Sequence, residues 1–323
     1  MDANRASPHT FTVATNSLAE SLLFYEQGWG LRVKGPLALS PDTVATQRRL
    51  WNLPADLGWA TYLLHRDGVD YAAQLRLLVL DRTMPAFRSH WSATTLGPYT
   101  LGFPNRRQEA VDRELRELGF GALNALERTG FTAPDGRRYD IVETVHTGPD
   151  FVLGVGVARG PGEPGITPLN TDGMGGPGYS MMIVDDVEPM VRFMTEVIGY
   201  RVRTRKVWQS TGRKGALNLP DGTEFDFAQL APHGDWPGFL VFIAFRNLAA
   251  APPVVPPRLP NRGLVLYSIP VTDLDAALGR ARGLGLASII EPLPLTVPGM
   301  GGTRYATVLA PNGTMFELFE LFE

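Results

Sequence analysis

Apolar and polar residues alternate over residues 10–15, apolar residues then recur at helical spacing over 18–25, and alternation restarts at 30–33. A period near two marks a half-buried strand, and a period near 3.6 marks an amphipathic helix. The same order returns over 179–184, 187–197 and 200–202, and again over 264–271, 274–284 and 287–290. A fainter copy runs over 99–103, 108–118 and 123–127. Phe24 to Val33 aligns with Phe193 to Val202 without a gap, setting Gly30 against Gly199 and Arg32 against Arg201. Glycine near a helix end is the expected C-cap. Apolar runs at 151–157 and 239–245 read as further strands that close the second and third copies. The pattern predicts a βαβββ unit made four times.

A turn phrase accompanies the repeat. Residues 134–140, 220–226 and 311–317 each read Pro, Asp or Asn, Gly, two variable residues, an aromatic and a carboxylate. A fourth copy at 66–72 keeps Gly68 and Tyr71 but ends in Ala72. Asp-Gly and Asn-Gly favour tight hairpin turns because both central positions take positive φ. Each phrase therefore predicts a turn feeding a strand, with Asp140, Asp226 or Glu317 at one point of that strand.

Two Gly- and Pro-rich stretches, 160–178 and 251–257, separate the second from the third copy and the third from the fourth. The expected organisation is an N-terminal pair of units over 1–159, a linker over 160–178 and a C-terminal pair over 179–323. The 323 residues are enough for two domains with full cores. A net charge of −3 without a basic patch argues against nucleic acid. The absence of cysteine excludes disulfides, thiolate nucleophiles and cysteine metal ligands. No apolar run is long enough to span a bilayer, and residues 1–5 lack a signal core, so a soluble cytoplasmic protein is expected.

Four tandem units, helix ends such as Phe24-Tyr25 and Ile198-Gly199-Tyr200, and the closing run 306–318 resemble the vicinal oxygen chelate superfamily. That group includes glyoxalase I, bleomycin-resistance proteins, methylmalonyl-CoA epimerases and extradiol dioxygenases. The resemblance implies an α+β fold of four βαβββ modules paired into two cup-shaped sheets, with ligands held inside a cup. It also implies metal ligands on the first and last strands of paired units. Those positions map onto Thr10, Thr100, Tyr179 and Leu266, and onto Ala72, Asp140, Asp226 and Glu317. No histidine stands among them, and His9 is one residue out of register, which turns it to the opposite face. No metal is therefore expected. A divalent ion, if one binds, would take His9 and Glu317 first.

Without a metal, Asp226 and Glu317 facing one cavity would form an acid–base pair, with Tyr179 donating to a developing enolate. The alternative is that both acids pair with arginines such as Arg203 or Arg205 and serve the fold. Trp208, Phe227, Met181, Tyr305 and His233 are the candidate ligand-binding residues for an aromatic or carbonyl small molecule. His146 reads as a loop residue. The leading expectation is a metal-independent isomerase or lyase working in the C-terminal cup. Alternatives are a non-catalytic small-molecule binding or resistance protein and a divergent extradiol-type dioxygenase. A hydrophobic small molecule is the expected partner, and self-association as a homo-oligomer is left open.

Overall fold

The computed structural model describes residues 10–69, 73–132, 136–159, 168–210, 212, 217–232, 238–286 and 288–321. His9, Ala72, His233 and Trp236, which the sequence singled out, lie outside the described residues. The four modules are present. Module one contains β1 (Thr10–Thr15), α1 (Leu18–Leu22), β2 (Arg32–Lys34), an inserted α2 (Pro41–Leu50), β3 (Trp59–His65) and β4 (Gln74–Leu80). Module two contains β5 (Gly97–Asn105), α3 (Gln108–Glu117), β6 (Glu127–Thr132), β7 (Arg138–Thr147) and β8 (Leu153–Arg159). Module three contains β9 (Tyr179–Ile183), α4 (Val187–Arg192), β10 (Arg201–Gln209), β11 (Glu224–Ala231) and β12 (Phe239–Phe245). Module four contains β13 (Gly263–Val271), α5 (Leu274–Gly283), β14 (Ile289–Pro294), β15 (Gly302–Leu309) and β16 (Met315–Leu321). Among the described residues no helix is long and apolar enough to cross a membrane.

Local chemistry fixes the helix starts. The side chains of Ser17, Asp186 and Asp273 accept hydrogen bonds from Glu20, Glu188 and Ala276 backbone amides, capping α1, α4 and α5. In modules one and three the first helix loosens into a π turn, over Leu23–Gly28 and Phe193–Ile198, which explains why those two segments align without a gap.

The modules pair differently from the expected order. One eight-stranded sheet runs β14-β15-β16-β13-β1-β4-β3-β2 and joins modules one and four; we call it the terminal sheet. The other runs β10-β11-β12-β9-β5-β8-β7-β6 and joins modules two and three; we call it the inner sheet. Modules two and three, neighbours in sequence across residues 160–178, thus share a sheet, and modules one and four share the other. The seams show why. In the inner sheet Gly102 pairs with Tyr179, and a Cβ at Gly102 would overlap the Tyr179 ring, so a glycine is needed for the strands to meet. In the terminal sheet β1 pairs with β13, Thr10 opposite Ser268, and a buried ion pair bridges modules one and four.

Each sheet curls into a cup. The faces bearing the helices share one core, which includes Phe11, Trp29, Phe103, Phe193, Tyr267 and Phe316. Each such aromatic, taken out of water, contributes about 1.5–3 kcal/mol. Ser180 of β9 and Tyr267 of β13 meet through their hydroxyls at 2.7 Å, tying the sheets together. Arg262 donates to Asp150 at 2.7 Å across the same junction. The opposite faces of the sheets form the two cups, each with its own apolar cluster.

Candidate functional site

Equivalent strands place equivalent residues on the floor of each cup. In the terminal sheet the parallel registers set Thr12 beside Arg76 and Ser268 beside Glu317. The four side chains form one hydrogen-bonded cluster. Arg76 donates from Nε to Thr12 Oγ1 at 2.9 Å, and from Nη2 to Ser268 Oγ at 3.1 Å and Glu317 Oε2 at 3.2 Å. Ser268 Oγ donates to the same carboxylate oxygen at 2.6 Å, and Trp51 Nε1 donates to Oε1 at 2.8 Å. The side chains of Arg76 and Glu317 are both 0% exposed. The guanidinium also lies 5.0 Å from the Trp51 ring centroid. Trp51 follows α2, the helix found only in module one, and it packs with Leu50, Met300, Tyr305 and Phe319 to fill this cup.

Among the described residues, this cluster sets what a metal ion would meet in the terminal cup. Arginine stays charged in a protein and has no lone pair to give. A divalent ion here would meet a fixed cation, two neutral hydroxyls and a single carboxylate whose two oxygens are already engaged. That donor set does not fit the oxygen- and nitrogen-rich shells of divalent sites. Among the described residues no three His, Cys, Asp or Glu side chains gather where they could hold a metal ion.

The inner cup is built otherwise. Its registers set Gly102 beside Val155 and Met181 beside Val241, at the places taken in the terminal cup by Thr12, Arg76, Ser268 and Glu317. The floor is therefore apolar. The Tyr179 ring stacks on Phe239 at 4.5 Å and an interplanar angle of 10°. Trp208 lies edge-to-face with Phe227, ring centroids 6.3 Å apart, and the Lys206 ammonium sits 3.6 Å from the Trp208 centroid. Met181 and Phe227 are half-buried and Trp208 is 37% exposed, so this wall of the cup reaches solvent. Tyr99 is buried, and its hydroxyl lies 3.5 Å from the Met181 sulfur. Burial, with Glu143 adding to it and Arg88 opposing, pushes the Tyr99 phenol well above its ordinary range, so it remains a hydrogen-bond donor.

The sequence-predicted residues divide between these places. Glu317 and Tyr305 lie in the terminal cup, where Tyr305 is buried against Phe319 at 5.0 Å. Tyr179, Met181, Phe227 and Trp208 lie in the inner cup. Asp226 lies in neither: β11 puts it on the outer side of the inner sheet, where Arg246 clamps both its oxygens at 3.0 and 2.8 Å. Asp226, Glu317 and Tyr179 therefore do not share a cavity, because β11 and β16 belong to different sheets. The arginine paired with Asp226 is Arg246, and Arg205 pairs instead with Glu188 at 2.7 Å. His146, expected in a loop, is a buried residue of β7 whose Nε2 is 2.9 Å from Asp112 Oδ1.

The mapping of the repeated phrase explains the displacement. In modules one and four the phrase turns the third strand into the fourth, between β3 and β4 and between β15 and β16. In modules two and three it turns the second strand into the third, between β6 and β7 and between β10 and β11. Asp140 and Asp226 thus fall on third strands, and the true fourth-strand positions are Val155 and Val241. Similarly, the first-strand positions are Thr12, Gly102, Met181 and Ser268, each two residues beyond those expected and on the same strand face. Sequence reasoning missed Arg76, Trp51, Thr12, Ser268 and Tyr99. Only the helix-cap spacing carried a signal for Thr12 and Ser268.

No family model and no curated protein sequence matches the chain. Solved structures do. Glyoxalase I from Zea mays superposes with a TM-score of 0.61 at 13% identity, covering 98% of this chain and 92% of that one. A candidate dioxygenase from Bacillus subtilis superposes with a TM-score of 0.55 at 12% identity, covering 98% and 85%. The chain has the vicinal oxygen chelate fold, in its four-module form. At these identities the likeness establishes the fold, and the chemistry must come from the cups themselves.

Proposed function

We propose that this protein binds a planar, hydrophobic small molecule in the inner cup, without a metal and without chemistry of its own, while the terminal cup serves as structural core. The observation that carries this reading is the contrast between corresponding floor positions. The terminal cup has Thr12, Arg76, Ser268 and Glu317 locked together beneath Trp51. The inner cup has Gly102, Val155, Met181 and Val241 beneath stacked aromatics. Apolar floors with aromatic walls and few polar groups are what flat organic ligands need.

The acid–base reading loses its support in the same comparison. Glu317 is sealed from solvent and already accepts three hydrogen bonds, and Asp226 faces away from both cups. The test is a fluorescence titration with 1-ethylnaphthalene, a flat bicyclic hydrocarbon. Binding is expected, weakened at least about tenfold by the double substitution Trp208→Ala/Phe227→Ala, since each ring supplies about 0.5–1.5 kcal/mol of aromatic contact beyond its area. Binding that ignores this change, or no binding at all, would sink the reading.

A further inference from the structure

Two hydroxyls on the inner cup floor have no adequate partner among the described residues. Thr100 pairs in register with Leu153 on one side and Met181 on the other, both of the apolar cup cluster, so its side chain shares their face. Thr100 is 0% exposed, and its Oγ1 has no hydrogen-bond partner among the described residues. Tyr99 reaches the same spot from the bulge before Thr100, and among the described residues its hydroxyl meets only the Met181 sulfur, a weak acceptor, at 3.5 Å. A buried hydroxyl without a good partner costs about 1–3 kcal/mol. Two of them flanking one half-buried methionine, on a face that also carries Val155, Val241, Gln229, Glu143 and aromatic rings, mark a polar spot on the cup floor.

Two charges act on this spot: Glu143, on the cup face with Val155 and Val157, and Arg88, behind the Tyr99 ring. Arg88 is buried against the Tyr99 ring, 5.7 Å from its centroid. It is held by the carbonyls of Ser92, Thr95, Gly97 and Pro98 at 2.8–3.1 Å, and among the described residues no carboxylate pairs with it. A cation behind a phenol strengthens that phenol as a donor. Burial keeps the phenol protonated, so it has a proton to offer.

Resting on the reading of the inner cup as a ligand site, we infer that its ligand class is an aromatic ketone, quinone or related planar molecule whose oxygen accepts hydrogen bonds from Tyr99 and Thr100. The polar oxygen seats at Met181, and the ring lies along Tyr179 and Phe239. A ligand of this kind satisfies both hydroxyls. A pure hydrocarbon of the same shape leaves them unmet.

The test compares 1-acetonaphthone with 1-ethylnaphthalene, which have the same ring and nearly the same shape and differ in the carbonyl oxygen. Isothermal titration to the full chain should show the ketone bound about tenfold more tightly, the worth of roughly one net hydrogen bond. Tyr99→Phe should remove most of that preference, read as the ratio of the two affinities measured on the same variant. Thr100→Val, close to the same volume, should remove the remainder. Equal affinity for the two probes, or a ketone preference untouched by both substitutions, overturns the inference and leaves the binding site standing. Binding of neither probe overturns the reading of the cup and the inference with it. Circular dichroism melts of both variants establish that they remain folded.

Discussion

Removing Arg76 is the sharpest perturbation of this fold. In Arg76→Met the methionine keeps the apolar stem but deletes every donor of the guanidinium. Thr12 Oγ1 and Ser268 Oγ each lose a charged donor, at 2.9 and 3.1 Å. Glu317 keeps only Trp51 at 2.8 Å and Ser268 at 2.6 Å, and remains a carboxylate buried out of water. Breaking a buried ion pair by removing one partner costs about 3–5 kcal/mol. Each kcal/mol lowers the melting temperature of a domain of this class by about 2–4 °C. The expected fall at neutral pH is therefore about 6–20 °C, read by calorimetry or circular dichroism. The double variant Arg76→Met/Glu317→Leu leaves no buried charge and should recover at least half of that loss, because an apolar pair of similar volume is often as stable as an ion pair. The reasoning is refuted if the single variant melts within about 2 °C of the parent, or if the double variant is less stable than the single one.

Three further outcomes follow from the same geometry. Arg76→Glu would turn the terminal floor into a Thr–Glu–Ser–Glu oxygen set, so manganese should raise the melting temperature of this variant but not of the parent; a manganese shift in the parent would contradict the misfit argued above. Gly102→Ala forces a methyl into the Tyr179 ring and should cost about 1–3 kcal/mol of stability together with inner-cup affinity, measured by melting and titration; an unaffected titration would show that Tyr179 plays no part in holding the ligand. Burial lowers the His146 imidazole below its ordinary 6.5, despite Asp112, so the unfolded chain takes up its proton first as pH falls. Stability should therefore be fully present above pH 6.5 and decline below it, by at most about 1.4 kcal/mol per pH unit from this one group, until pH passes the depressed folded value. His146→Gln should flatten that part of the curve, and an unchanged slope in denaturant melts would assign the decline to other groups.

The modules were legible because each carries its own periodicity, and modules one, three and four each carry a side-chain cap as well, which α3 of module two lacks. Ser17, Asp186 and Asp273 sit where the helical spacing begins, and Gly199, with φ 87, sits where one helix ends. What the sequence could not reveal was which hairpin each turn phrase closes. Gly68, Gly136, Gly222 and Gly313 all take positive φ, between 70 and 83. The phrase satisfies a local demand of any tight turn and carries no information about strand order. Aligning the four phrases therefore set Asp226 against Glu317, although one lies on a third strand and the other on a fourth. The pairing of modules was hidden for a related reason: it is set by contacts such as Arg76 with Glu317, far apart in sequence, where a lone arginine inside an apolar strand has no local signature.

The two cups carry opposite solutions at matching positions, and this contrast limits where a ligand can bind. A floor of hydroxyls and a lone carboxylate would be costly to bury unless something charged completed it. Arg76 does so from within the chain, and α2 with Trp51 then closes the cup over it. Once the polar floor is internally satisfied, opening that cup to a ligand would expose an ion pair whose stability depends on exclusion of water. The four matching positions of the inner cup carry no charge: Gly102, Val155, Met181 and Val241 can exchange a neighbouring side chain for a ligand ring at little electrostatic cost. Its wall is also the one left partly open, with Trp208 and Phe227 reaching solvent. The same fold thus separates two tasks. On the proposed reading the terminal cup joins the first and last modules, and the inner cup holds the ligand.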